Sequence, residues 1–366
     1  MSAEGTKIAL KSLYDATNQD LTSIEIIPGD WTDWIDSAPP GCEPSITSPL
    51  LLVEWNLGVP QKVLYRLYLA SANFPHINSV AAKTVVETTL QKTTCILIVN
   101  PAHQTALNTR KNLIANGYLD ARKELRFVEL LLVGVKACAK ESALWAHRRW
   151  CLNRLHEFAY ENFDSRAKLP SSALPPSSDL TQSVSSPFLP SDAIRTEFAT
   201  VRQAFTLYPR NYHAWTHWHQ TFDLCCAILC SPTISDASRG ELSMIVLEEI
   251  RGLRKWIDAH ITDFSAVHHL VTSLPKVRDL VSSQLFSPEV CKLLETESSP
   301  SELAKQSWGL LSSFLPHKET QWLFLVSILP SLPPLEKEWY IQRMLDLDVP
   351  WEMHRKHFVA TYVKSS

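Results

Sequence analysis

The 366-residue chain is predicted to be all-α, built as an array of antiparallel helical hairpins, and three observations carry that prediction. Apolar residues recur at helical spacing through most of the chain after residue 80. One helical segment, centred on a large apolar anchor, returns at positions 107, 145, 215, 267 and 322. Glycine is scarce at 9 residues, while the 23 prolines cluster between the helical patterns, which disfavours a many-stranded fold with tight turns.

The clearest copy of the segment is ESALWAHRRWCL, residues 141–152. Leu144, Cys151 and Phe158 mark one stripe, and Leu152 and Leu155 fill it. Trp145 is followed three and four residues later by Arg148 and Arg149, so the indole and both guanidinium groups share a helical face. Around Leu107 the basic pair is kept as Arg110 and Lys111. Trp215 is followed by Trp218 and His219, Val267 by no basic pair, and Trp322 by Leu325 and Val326. The intervals are uneven, so links of different length must join the units. A hairpin repeat buries a continuous core only by stacking on its neighbours. Trp145, Arg148 and Arg149 therefore read as packing devices in preference to catalytic groups: the indole supplies buried area, and an arginine can reach the next unit's carboxylates or helix-end carbonyls.

Along the chain, residues 1–79 form an N-terminal lead-in. Residues 1–49, rich in Asp, Ser, Thr and Pro, are expected to be loosely structured with one short helix, and the apolar stretch 48–59 to be extended or helical. Residues 80–366 form the hairpin repeat domain. Its first helix starts near Ala81, carries Val85, Leu90, Cys95 and Leu97, and stops at Asn100-Pro101. The next ends at about Asn116-Gly117. A third runs over 121–138 and a very short turn leads into the Trp145 helix. A Ser/Pro-rich insertion at about 165–191 lacks an apolar face and is expected to be mobile. Helices resume at 192–208, 211–230, 238–257 and 261–274. Pro-Ser segments near 286–301 separate a last pair, 302–314 and 317–329, from a terminal hairpin at 335–347 and 350–364.

Composition excludes several function classes. A net charge of −3 leaves no electrostatic footprint for nucleic acid. No Gly-x-Gly-x-x-Gly or Walker-type loop is present. The eight cysteines form no Cys-x-x-Cys and fall mostly in apolar stripes, as in a reducing compartment. With no signal pattern and no apolar run long enough to span a bilayer, a cytoplasmic location is expected.

These motifs resemble the α-subunit repeat of the protein prenyltransferases. The resemblance rests on Leu52-Val53-Glu54 with Leu57-Gly58-Val59, Asn100-Pro101 before the first anchor, Arg148-Arg149-Trp150 in the second unit, Tyr208-Pro209 with Asn211-Tyr212 in the third, and Pro316-His317, Glu319-Thr320 and Trp322 in the fifth. It covers about residues 48–330 and implies a right-handed superhelical crescent, an α–α superhelix related to tetratricopeptide arrays. It also implies a role as the α subunit of a heterodimeric enzyme, inactive alone, whose β partner holds zinc and isoprenoid; this chain would carry no cofactor. The features are most similar to a member that pairs with the Rab geranylgeranyltransferase β subunit as a third type of geranylgeranyltransferase and modifies a farnesylated SNARE protein.

The resemblance further implies that Lys140, Tyr212 and His213 approach the diphosphate and the substrate tail at the subunit interface. A lysine there would stabilise charge growing on the leaving diphosphate. One position departs: farnesyltransferase-type α subunits carry Gln where this chain has Ala143, which cannot hydrogen-bond a substrate carboxylate through its side chain. His213, His217 and His219 suggest a metal site, but no glutamate follows His213 and no third acidic ligand lies nearby, so no metal is expected on this chain. The alternative function is a non-catalytic helical-repeat scaffold for a protein partner.

Overall fold

The computed structural model describes residues 2–75, 81–156, 189–283, 285–313 and 319–346. Among them it forms fifteen α-helices and three short strands, an all-α fold with a small sheet near its N-terminus. The insertion as far as residue 188 and the helix expected over 350–364 lie outside the described residues.

The lead-in is more ordered than its composition suggests. Helix α1 (Ala3–Thr17) starts at Ser2, whose hydroxyl accepts the Gly5 N–H at 3.1 Å. Strands β1 (Ser23–Ile27), β2 (Leu51–Val53) and β3 (Asn56–Pro60) form a sheet of order β1-β3-β2. β1 runs parallel to β3 with Ile24 opposite Leu57, and β2 runs antiparallel to β3 with Leu52 opposite Leu57. Of the two conformations the sequence allows for 48–59, the extended one forms. Glu54 and Trp55, both at positive φ, close the β2–β3 turn. Helix α2 (Gln61–Ser71), which the sequence reading misses, buries Val63, Leu64 and Leu67 at helical spacing.

Five hairpins follow: α3 (Lys83–Val99) with α4 (Gln104–Ala115), α5 (Ala121–Gly134) with α7 (Ser142–His156), α8 (Ser191–Leu207) with α9 (Tyr212–Leu229), α10 (Asp236–Ala259) with α11 (Phe264–Ser282), and α13 (Pro300–Ser313) with α14 (Glu319–Ile328). The helix predicted over 121–138 is broken. α5 stops at Gly134, Val135 is extended, and a single turn, α6 (Lys136–Ala139), precedes α7. The 286–301 segment, read as a separator, holds helix α12 (Pro288–Glu297). Ser287 caps it and Pro288 takes the first helical position, a start signal overlooked among the neighbouring serines. Helix α15 (Pro334–Asp346) closes the described chain.

The fold divides into two compact units, Met1–Tyr160 with Ala199–His217, and Glu161–Phe198 with Trp218–Ser366. The core of the first is built from α1, the sheet, α2, α3, α5 and α7, including Leu13, Ile24, Leu67, Val128, Leu131 and Trp145. That of the second is built from α10 to α14, including Val246, Ile250, Leu270, Leu303 and Leu325. Five of the eight cysteines, at 95, 138, 151, 225 and 226, are buried thiols.

The sheet and the second hairpin meet at Gly134. A Cβ placed there would lie 2.6 Å from the Ile24 carbonyl oxygen and 2.9 Å from its nitrogen, and a strand backbone cannot yield as a side chain can. Gly134→Ala is expected to lower stability by about 1–3 kcal/mol, the usual cost of overpacking, read as a lower denaturant midpoint with unchanged slope.

Candidate functional site

The second helices of the first four hairpins start with one geometry. The residue four before each anchor is His103, Glu141, Asn211 or Asp263, and its carbonyl oxygen accepts the anchor's own N–H in the first helical turn. Its side chain accepts a second N–H: His103 Nδ1 from Ala106, Glu141 from Ala143, Asn211 Oδ1 from Ala214, and Asp263 Oδ1 from Ser265 and Ala266. These caps satisfy donors that a helix start leaves open. They also put each anchor one turn inside its helix, facing the core. Leu107, Trp145, Trp215, Val267 and Trp322 are all buried.

In the first three units the side chain three residues past the anchor reaches the first helix of the next hairpin. Arg110 donates to both oxygens of Glu124 on α5 at 2.6–3.0 Å, and to the Thr93 and Thr94 hydroxyls at 3.1 Å. Arg148 donates to the Leu125 carbonyl within its own hairpin and to the Thr200 hydroxyl on α8, each at 3.2 Å. Trp218 stands where the arginine would be, and its indole N–H donates to Glu249 on α10 at 2.9 Å. In the third unit, then, the reach across persists through another donor; the fourth and fifth carry Leu270 and Leu325 at this position. Lys111 lies over the Trp150 ring at 5.4 Å, and Arg149 is half-buried. Glu124 is buried and also bonds His147 Nε2 at 2.8 Å. Burial pushes its carboxyl up, but the charge of Arg110 and the hydrogen bonds from His147 and Arg110 more than offset this and bring it down to about 2.

The carbonyl of Ala139, at the end of α6, accepts two bonds. The Trp145 indole N–H donates to it at 2.8 Å and the Asn211 amide at 2.6 Å. Lys140 follows Ala139 and Tyr212 follows Asn211, so this shared acceptor ties together the turns of the second and third hairpins. Lys140 is exposed, with its Nζ 5.7 Å from the Tyr208 ring centre, and Lys136, one turn earlier, lies 5.9 Å from the same ring. Tyr212 is 72% exposed, and its ring meets that of His213 edge-on at 5.4 Å. Among the described residues no salt bridge joins Lys136 or Lys140 to a carboxylate.

The result is a ridge of two exposed ammonium groups, the exposed phenol of Tyr212 and the half-buried rings of Tyr208 and His213, all in the first unit. It can receive an anion and offer an imidazole nearby. Sequence reasoning named Lys140, Tyr212 and His213 but missed Lys136, Tyr208 and Asn211. Lys136 could have been found as the i, i+4 partner of Lys140, and Asn211 as a capping residue four before an anchor. Of the three histidines that suggested a metal site, His217 is buried with its ring 5.1 Å from that of Trp145, in the same unit as His213. His219, in the other unit, contacts Asp223 at 3.6 Å. Among the described residues no three His, Cys, Asp or Glu side chains gather as a metal-binding group.

Residues 194–225, on α8 and α9, match the protein prenyltransferase alpha subunit repeat. The human protein prenyltransferase alpha subunit repeat-containing protein 1 is 26% identical over 307 residues, 81% of this chain and 68% of that protein. The zebrafish protein of the same name is 29% identical over 189 residues, 50% of this chain and 38% of the relative. A Xenopus laevis relative, repeat-containing protein 1-A, is 26% identical over 61% of this chain and 45% of its own length. The match thus spans less than half the length of the zebrafish and frog proteins. No helix among the described residues is long and apolar enough to cross a membrane.

Trp145→Ala removes a fully buried indole and one of the two donors to Ala139. It is expected to cost about 3–5 kcal/mol, read by chemical denaturation; an unchanged midpoint would contradict the anchor role. Glu124 makes a pH test. Its ordinary value is 4.5 and its folded value about 2, so its contribution is complete above pH 4.5 and is lost as the pH falls from there towards 2. The melting temperature should drop more steeply below pH 4.5 in the parent chain than in Glu124→Gln, which has no such proton to take up.

Proposed function

We propose that this chain, a member of the protein prenyltransferase alpha-subunit repeat family, acts as the α subunit of a heterodimeric protein prenyltransferase. It pairs with a zinc-binding β subunit of the Rab geranylgeranyltransferase type and helps attach a geranylgeranyl group to a cysteine of a protein substrate such as a farnesylated SNARE. Zinc and the isoprenoid pocket belong to the partner in this reading, and the cytoplasm is where the complex works. The observation that carries the reading is the ridge of Lys136, Lys140, Tyr208, Tyr212 and His213, set by the acceptor that Trp145 and Asn211 share.

The chemistry follows from the charges. When a prenyl diphosphate ionises, negative charge grows on the oxygen that leaves. An ammonium group held in place beforehand stabilises that state more than the ground state, which accelerates the step. Lys140 serves as the donor and Lys136 adds field strength, and the face of the Tyr208 ring attracts both ammonium groups. Tyr212 and His213 offer hydrogen bonds to the diphosphate or the substrate tail. Ala143, which has no polar side-chain atom, supports a substrate read elsewhere than at the carboxylate of a four-residue C-terminal box.

The test is co-expression with a Rab-type β subunit, followed by geranylgeranyl transfer to a farnesylated SNARE. Lys140→Ala should lower turnover about ten- to a thousandfold, the range up to that of a removed oxyanion donor. Co-purification should persist, because one exposed cation contributes about 1 kcal/mol or less. Loss of pairing in the variant would turn Lys140 into an interface residue. A stable complex without transfer from either form would favour the scaffold reading.

A further inference from the structure

A groove of about 540 Å³ opens in the first unit between β1, α2, the end of α3 and α6. That is within the size range of small-ligand sites. Its apolar wall is Ile26, Leu64, Tyr65, Ile98, Val99 and Ala137. Leu64 and Ile98 are buried, but Ile26, Tyr65 and Val99 remain 41%, 61% and 38% exposed. Leu69, one turn beyond Tyr65 on α2, is exposed as well and extends the patch. A contiguous apolar surface of this kind costs free energy when left in water and marks a place where something docks.

The groove is charged at one place only. Gln61, Lys62 and Arg66 of α2 line it. Arg66 is already committed to Asp30 at 2.6 Å, and its hydrogen bond holds the Asp30 carboxyl below the usual carboxylate range. Lys62 makes no salt bridge among the described residues. The lining thus carries two cations against the one neighbouring carboxylate of Asp30, all beside a long aliphatic wall.

We propose that this groove binds an anionic amphiphile with a long methylene chain, of the class of long-chain fatty acids. The chain lies along Ile26, Val99 and Ala137, and the carboxylate meets Lys62 and the free edge of Arg66. A peptide fits less well, because its backbone N–H and C=O groups would face aliphatic side chains that cannot pair with them, whereas a methylene chain brings none. The site stands apart from the subunit reading above and does not depend on it.

The test uses the full chain and a fluorescent fatty acid, cis-parinaric acid, displaced by palmitate or by hexadecanol below their aggregation limits. Saturable binding at one site, with palmitate the better competitor, is expected. Ala137→Trp, which fills the groove from its exposed rim, should abolish binding while leaving the circular dichroism melt in place. If that variant melts early, Val99→Glu, which puts a carboxylate in the wall, should do the same. Lys62→Glu should weaken palmitate about tenfold, as expected for removing a charge-assisted contact and adding a repulsive one, and leave hexadecanol unchanged. Absence of saturable binding, undiminished binding in folded Ala137→Trp or Val99→Glu, equal loss of acid and alcohol in Lys62→Glu, or displacement by an apolar peptide but not by palmitate would overturn the proposal.

Discussion

The Ala139 carbonyl is the point on which the candidate site depends. A carbonyl oxygen has two lone pairs, and here both are used, one by an indole and one by a primary amide. The two donors come from different hairpins, so a backbone atom at the end of a single helical turn fixes the relation between them. Because both groups are buried, neither donor can exchange its partner for water without an opening of the core. Lys140 and Tyr212 are exposed, yet each is the chain neighbour of a buried residue that makes two hydrogen bonds. Exposed polar groups gain a defined spacing in this way without a packed environment of their own.

The same economy runs between neighbouring hairpins. In the first three units the residue three past an anchor reaches the next hairpin, Arg110 and Arg148 while also bonding their own partner helix, and what it carries varies. Arg110 meets a carboxylate, Arg148 a hydroxyl and a carbonyl, and Trp218 a carboxylate through its indole. In the first three units the position holds a long side chain that buries apolar area and ends in a donor. In the fourth and fifth it holds Leu270 and Leu325, buried without a donor, and α10 with α11 and α13 with α14 still pack as hairpins.

Much of this was legible in the sequence, and the limits have physical causes. The anchors could be read because large apolar residues at helical spacing have few uses other than burial. Lys140, Tyr212 and His213 came from a resemblance that matched them by place relative to the anchors. Lys136 and Tyr208 were missed because their pairing is a cation–ring contact between separate hairpins, which no local pattern encodes. Helix α2 was missed because its apolar face is short and followed by an exposed one, Tyr65 and Leu69, that reads as surface. The small sheet escaped because β1 pairs with a strand about thirty residues away, across a stretch without periodicity. The break after Gly134 falls where the Ile24 backbone packs against the helix, a tertiary contact that no local pattern encodes.

The cap at the start of each second helix has a consequence for how such a chain can change. Four caps set the first turn of their helices through their own side chain and carbonyl, so helical phase is defined afresh at His103, Glu141, Asn211 and Asp263. Rotational error accumulated in the turn that joins the two helices of a hairpin is erased at that residue. That turn can therefore change length without turning the anchor behind it away from the core. Insertions are neutral in front of a cap and harmful between a cap and its anchor, where a single added residue would rotate the anchor by about 100° at 3.6 residues per turn.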